Sequence, residues 1–67
     1  MDIRKTLGKN VSNLRQEKGL SQEKFAFDAK IHRTYISDIE RGARNPTITV
    51  VEKIANALGV SASDLLK

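Results

Sequence analysis

Apolar residues in this chain recur at helical spacing, and no stretch alternates with the period of two that marks a strand. Ile3, Leu7, Val11 and Leu14 follow at steps of four, four and three, which is one face of a helix. Asp2 is placed to cap its start. Gly19 is placed to end it in the left-handed conformation, with Leu20 folding back as the apolar contact. Gly8 sits inside that helix at a cost of about 1 kcal/mol relative to Ala, which points to a close backbone approach. Ser21 opens a short second helix, with Glu23 in its first turn and Phe25, Ala26 and Ala29 inward. A third begins near His32 and runs to Arg41, with Ile36 and Ile39 inward and Gly42 as its stop. Pro46 pushes Asn45 out of helical space in the turn-forming tract Ala43-Arg44-Asn45-Pro46. Thr47 then caps a fourth helix with Val51, Ile54, Ala55 and Leu58 on one stripe and Gly59 at its end. Ser61-Ala62-Ser63-Asp64 has the form of a capping box opening a last short turn with Leu65 and Leu66. The expectation is an all-α fold, five short helices around one core, forming a single domain over residues 1–67.

Composition narrows the function classes. The 67 residues contain no Cys and one His, so disulfides, thiolate chemistry and a metal site are not expected. No apolar run approaches a membrane span, and the first residues lack the apolar core of a signal peptide, so a soluble, cytoplasmic protein is expected. An enzyme is not expected: no nucleophile–base pair has a defined spacing, there is no Gly-rich phosphate loop, and the chain is small for a deep pocket. The formal charge of +4 is unevenly placed. Residues 1–45 hold ten Lys/Arg against six Asp/Glu, whereas residues 46–67 hold two of each. A one-sided basic field suits a polyanion such as DNA.

The connection between the second and third helices carries the most information. Only Lys30 to Arg33 separate the two short helices. Ala26 is small where one helix must cross the other, and Ile31, Ile36 and Ile39 fill the space between them. That is the physical recipe of a helix-turn-helix, in which the second helix presents its N-terminal side chains to the major groove. The segments Gly19-Leu20-Ser21-Gln22-Glu23, Phe25-Ala26 and Arg33-Thr34-Tyr35-Ile36-Ser37-Asp38-Ile39-Glu40-Arg41-Gly42 closely resemble the Cro and phage-repressor type of helix-turn-helix, the XRE-like family. Thr47 to Leu66 resembles that family's fourth and fifth helices, so the likeness spans nearly the whole chain. It implies a lambda-repressor-like five-helix domain that binds duplex DNA as a transcriptional regulator, usually as a homodimer on a palindromic operator. His32 to Gly42 also resembles the small controller proteins of restriction–modification systems. The resemblance further implies an ion pair between Arg15 and Glu40, linking the first and third helices. Two departures stand out. Lys30 occupies a turn position where the family often has Gly, and His32 replaces the usual Ser or Thr cap, so a weaker start to the third helix is expected.

Candidate contacts follow from this placement. Arg33, in the first turn of the third helix, is suited to pair bidentately with guanine O6 and N7. Thr34 can meet a thymine methyl or a phosphate, and His32 can donate to a base edge or a phosphate. Asp38 either accepts from a cytosine amino group or steers Arg33 or Arg41 by hydrogen bonding. Gln22, with the free N–H groups at the start of its helix, is a candidate phosphate ligand, as are Ser37, Arg41, Arg44 and Asn45. Tyr35 is expected mainly to pack at the core edge with its hydroxyl toward a phosphate. Phe27 falls off the inward face, either tucked against a neighbour or facing a partner. Ile48, Val50, Val60 and Leu66 flank the inner stripe of the neutral C-terminal third and are candidates for a homodimer interface. No small-molecule effector and no cofactor is expected. The rival reading is an antitoxin or accessory module that uses the same fold to bind protein.

Overall fold

The computed structural model describes residues 2–67. Five helices follow in order: α1 Ile3–Glu17, α2 Gln22–Ala29, α3 Arg33–Glu40, α4 Ile48–Leu58 and α5 Ala62–Leu65. Each start is capped by the side chain of the residue before it, namely Asp2, Ser21, His32, Thr47 and Ser61. At α5 the capping box is complete, with Asp64 accepting from the Ser61 backbone N–H at 3.1 Å. The expected stops Gly19, Gly42 and Gly59 all have positive φ. At the first of these, Leu20 N–H donates back to the Arg15 carbonyl at 3.1 Å, which closes the helix end as the sequence predicts.

The core is Leu7, Val11, Phe25, Ala26, Ile36, Ile39, Ile54, Ala55, Leu58 and Leu65, all buried. It draws on every helix, so no helix could keep its apolar stripe covered alone. Leu14, Leu20, Ile31, Tyr35, Val50, Val51 and Val60 pack around it half-buried. The central strut is α1, which packs on α3, α4 and α5, while α2 packs on α3 and α4. Gly8 explains how α1 and α3 come so close. A Cβ at this position would overlap the Ile39 carbonyl oxygen and lie 2.8 Å from that of Glu40. Asn10 ties the far end down, donating from Nδ2 to the carbonyls of Leu65 at 2.9 Å and Lys67 at 3.2 Å.

Candidate nucleic-acid interface

The α2–α3 turn sets the angle at which α3 is presented. Lys30 takes φ 59 and ψ 43, the left-handed conformation the motif requires, without the Gly that adopts it most easily. Its N–H donates to the Phe27 carbonyl at 3.2 Å, and that of Ile31 to the Ala26 carbonyl at 3.0 Å, so the end of α2 is satisfied. His32 then caps α3. Its Nδ1 accepts from the Thr34 N–H at 3.1 Å, so the imidazole takes the place of the usual hydroxyl.

The first turn of α3 is open. His32, Arg33 and Thr34 are exposed, and among the described residues the Arg33 guanidinium forms no ion pair. An unpaired guanidinium in the first turn keeps its planar fork available for a base edge. Ser37, one turn on, is half-buried.

The other end of α3 is held firmly. Glu40 accepts from Arg15 twice, Nε at 2.7 Å and Nη2 at 3.0 Å, in the bidentate geometry that is strongest for this pair. Arg15 also donates from Nη1 to the Leu20 carbonyl at 2.7 Å, and Gln22 Nε2 donates to Glu40 Oε1 at 3.1 Å. One carboxylate thus joins α1, the α1–α2 turn, the start of α2 and the end of α3. Both side chains are largely buried, and the bound Glu40 holds the Arg15 guanidinium above the usual arginine range. The role of Gln22 in this network was not foreseen. One of the two N–H bonds of its amide is given to Glu40, and the backbone N–H groups of the first turn of α2 lie beside it.

Asp38 organises the exit. It accepts from Arg41 on Oδ1 and from Arg44 on Oδ2, the latter at 3.0 Å, and it is only 20% exposed. Hydrogen bonding from Arg44 first, and then Arg41, holds its carboxyl below the ordinary 3.8. Arg44 also lies over the Tyr35 ring, 4.3 Å from its centroid, so Tyr35 packs between the core and a cation. Periodicity carries no signal for this stacking, since Arg44 lies in the loop beyond α3. Asn45, the last of the predicted phosphate ligands, is exposed and lines an apolar groove with Pro46.

That groove divides the four expected interface residues. Ile48, 88% exposed, and Leu66 line it together with Ile3, Leu7, Val51 and Ala62. Val50 and Val60 lie outside it and pack half-buried against the core. Ile3 shares the apolar face that its spacing predicts for α1. It is the first residue of the helix, so its end of the stripe overhangs the core and remains about half exposed. Phe27 stands 79% exposed on α2 with the Lys24 ammonium 5.6 Å from its ring, so it is not tucked away. No helix among the described residues is long and apolar enough to cross a membrane.

A family model described as helix-turn-helix matches residues 11–65. The chain belongs to this XRE-like family. It is 53% identical over 66 residues to the control protein C.BamHI of Bacillus amyloliquefaciens, covering 97% of this chain and 82% of that one. Its structure is similar to that of the hypothetical transcription factor NHTF from Neisseria, with a TM-score of 0.94, 42% identity, and coverage of 98% of this chain and 76% of that one. It is also similar to SinR of Bacillus subtilis, the master regulator for biofilm formation, in complex with DNA. There the TM-score is 0.87 at 37% identity, covering 91% of this chain and 98% of that one. The chain is a DNA-binding transcriptional regulator of the helix-turn-helix type, and its relatives are regulators rather than enzymes.

Proposed function

We propose that the protein acts in the cytoplasm as a homodimer on a palindromic operator, with α3 in the major groove of each half-site. The observation that carries this reading is the open first turn of α3, where Arg33, without an ion pair among the described residues, stands exposed between His32 and Thr34. Arg33 reads guanine, with Thr34 and His32 on neighbouring base edges. Arg41, Arg44, Ser37 and the start of α2 at Gln22 follow the phosphates, with Asn45 and the Tyr35 hydroxyl at the margin. A single recognition helix covers too few base pairs to find a genomic site, so a two-fold pair of half-sites about 10 base pairs apart, or a multiple of that, is required. The groove bounded by Ile3, Ile48 and Leu66 is the surface suited to pair two copies. The similarity to the control protein C.BamHI, and to the restriction–modification controller protein C.AhdI from Aeromonas hydrophila, supports control of a restriction–modification system as the biological setting.

The test is selection of a site from random duplexes, followed by anisotropy titration across salt and sedimentation of the complex. The selected palindrome should bind at least ~10³-fold tighter than random duplex. Affinity should fall steeply with salt. Two chains should sit on each site. Ile48→Glu with Leu66→Glu, both on exposed residues, should leave the fold intact and return the protein to monomer. A strict one-chain complex, or an unchanged dimer in that variant, would remove the proposed interface. A dimer that binds no duplex but captures a second protein on the groove would favour the antitoxin or accessory reading.

A further inference from the structure

The exit of α3 contains a feature that DNA attraction alone does not explain: a carboxylate in the middle of a surface meant for a polyanion. Asp38 lies one turn beyond Thr34 and binds both Arg41 and Arg44, the two arginines at the exit of the helix. Arg44 is fixed twice over, by Asp38 at 3.0 Å and by the Tyr35 ring at 4.3 Å. Loop hydrogen bonds hold the same geometry, with Ala43 N–H on the Asp38 carbonyl at 2.9 Å and Gly42 N–H on that of Ile39 at 3.0 Å.

We propose that Asp38 is a specificity-determining positioning residue, which holds Arg41 and Arg44 as a preformed clamp and thereby lowers binding to random duplex relative to the operator; this rests on the DNA-binding reading above. A free arginine on a flexible stem reaches a phosphate on any sequence, and such contacts carry no sequence information. Bound to one carboxylate, the two arginines present a net single positive charge in one place. When Arg33 is docked on its base, that place coincides with a phosphate and the clamp is used without further ordering. On an unmatched duplex nothing fixes the register, and the approaching backbone meets the carboxylate as often as the arginines. Asp38 therefore subtracts from sequence-independent attraction and preserves the sequence-dependent complex.

Asp38→Asn removes the charge at nearly constant size. Random-duplex affinity should rise about threefold or more near 0.1–0.2 M salt, with a salt slope steeper by roughly one ion. Operator affinity should stay within about threefold, because the electrostatic gain is offset by ordering two released side chains. The operator-to-random ratio should therefore drop several-fold. Because an unfolded chain of net charge +4 also binds duplex without sequence preference, the gain counts only with an unchanged Tm, which separates positioning from a structural role. In an Arg41→Ala/Arg44→Ala background, Asp38→Asn should leave the ratio unchanged, since the clamp is already gone. The proposal is overturned if random binding is unchanged or weaker, if both affinities rise equally, or if the loss is confined to one cytosine position, as a direct base contact requires. Wild-type protein that binds no duplex at all would overturn the DNA reading and this proposal together.

Discussion

At its start, α3 offers His32, Arg33 and Thr34 to solvent, with one side-chain cap and no ion pair on Arg33 among the described residues; at its end, Asp38 and Glu40 together accept from four other side chains. The difference separates two tasks. The end anchors the helix in the domain and fixes the arginines beside it, so the helix arrives at a defined angle. The start remains uncommitted, which leaves the Arg33 donors available for the base contact proposed above.

The largest way to break the comparison is at the anchor. Glu40→Ala leaves Arg15 charged, mostly buried and without its bidentate partner, and it also releases Gln22. Removing one partner of a buried pair costs about 3 kcal/mol or more. In a domain of this size that is a fall in Tm of roughly 12 °C or more, readable by circular dichroism. A loss below about 1 kcal/mol would mean that Arg15 finds water readily and that the end of α3 is no better held than its start.

Gly8→Ala tests the same end through the backbone. Ala would gain about 1 kcal/mol of helix propensity in α1. The new Cβ, however, would overlap the Ile39 carbonyl and lie 2.8 Å from that of Glu40, and neither can swing away as a side chain could. Overpacking of this kind costs about 1–3 kcal/mol. With contacts this short the steric effect should win, giving a net loss of up to about 2 kcal/mol in urea denaturation together with weaker operator binding as α3 is displaced. A stabilised Gly8→Ala would show that α1 and α3 can separate freely.

Arg33→Ala and Arg44→Ala set the two ends against each other in binding rather than stability. Arg33→Ala should lose about 1–3 kcal/mol on the operator and relax preference at one base pair, with Tm unchanged. Arg44→Ala should weaken all duplexes alike and reduce the salt slope by about one. If both variants lose affinity uniformly across sequences, the start of α3 is another phosphate contact and the division of labour is wrong.

Much of this was readable in the chain. Spacing located every helix, and the caps and glycine stops fell where Asp2, Ser21, Thr47, Ser61, Gly19, Gly42 and Gly59 place them. These signals are local, set by one residue and its neighbours within four positions. What the sequence concealed depends on loops or on distance along the chain. Gln22 meets Glu40 across eighteen residues, and Asn10 meets the carbonyl of Leu65 across fifty-five. Arg44 reaches both Asp38 and the Tyr35 ring from a tract without periodicity. Ile3 shares the spacing of the core residues of α1, yet it sits at a helix start, where an apolar side chain can overhang the core.

The smallest expected effect lies at the hinge between the two helices of the motif. Lys30 adopts φ 59, where a residue with a Cβ is disfavoured by about 1–2 kcal/mol. Lys30→Gly relieves this strain but adds freedom to the unfolded chain, worth about 0.4–1 kcal/mol in the opposite direction. The net should be a gain of roughly 0.5 kcal/mol, or about 2–4 °C in Tm. Because Ile31 and the Ala26 carbonyl already fix the turn by a 3.0 Å hydrogen bond, α3 should keep its angle and the operator preference should not move. Only the overall salt slope should fall, by at most about one, if the Lys30 ammonium reaches a phosphate. A loss of stability would show that the left-handed residue is not strained in this turn. A changed base preference would place the control of α3 in the turn rather than in the Glu40 and Asp38 networks at its far end.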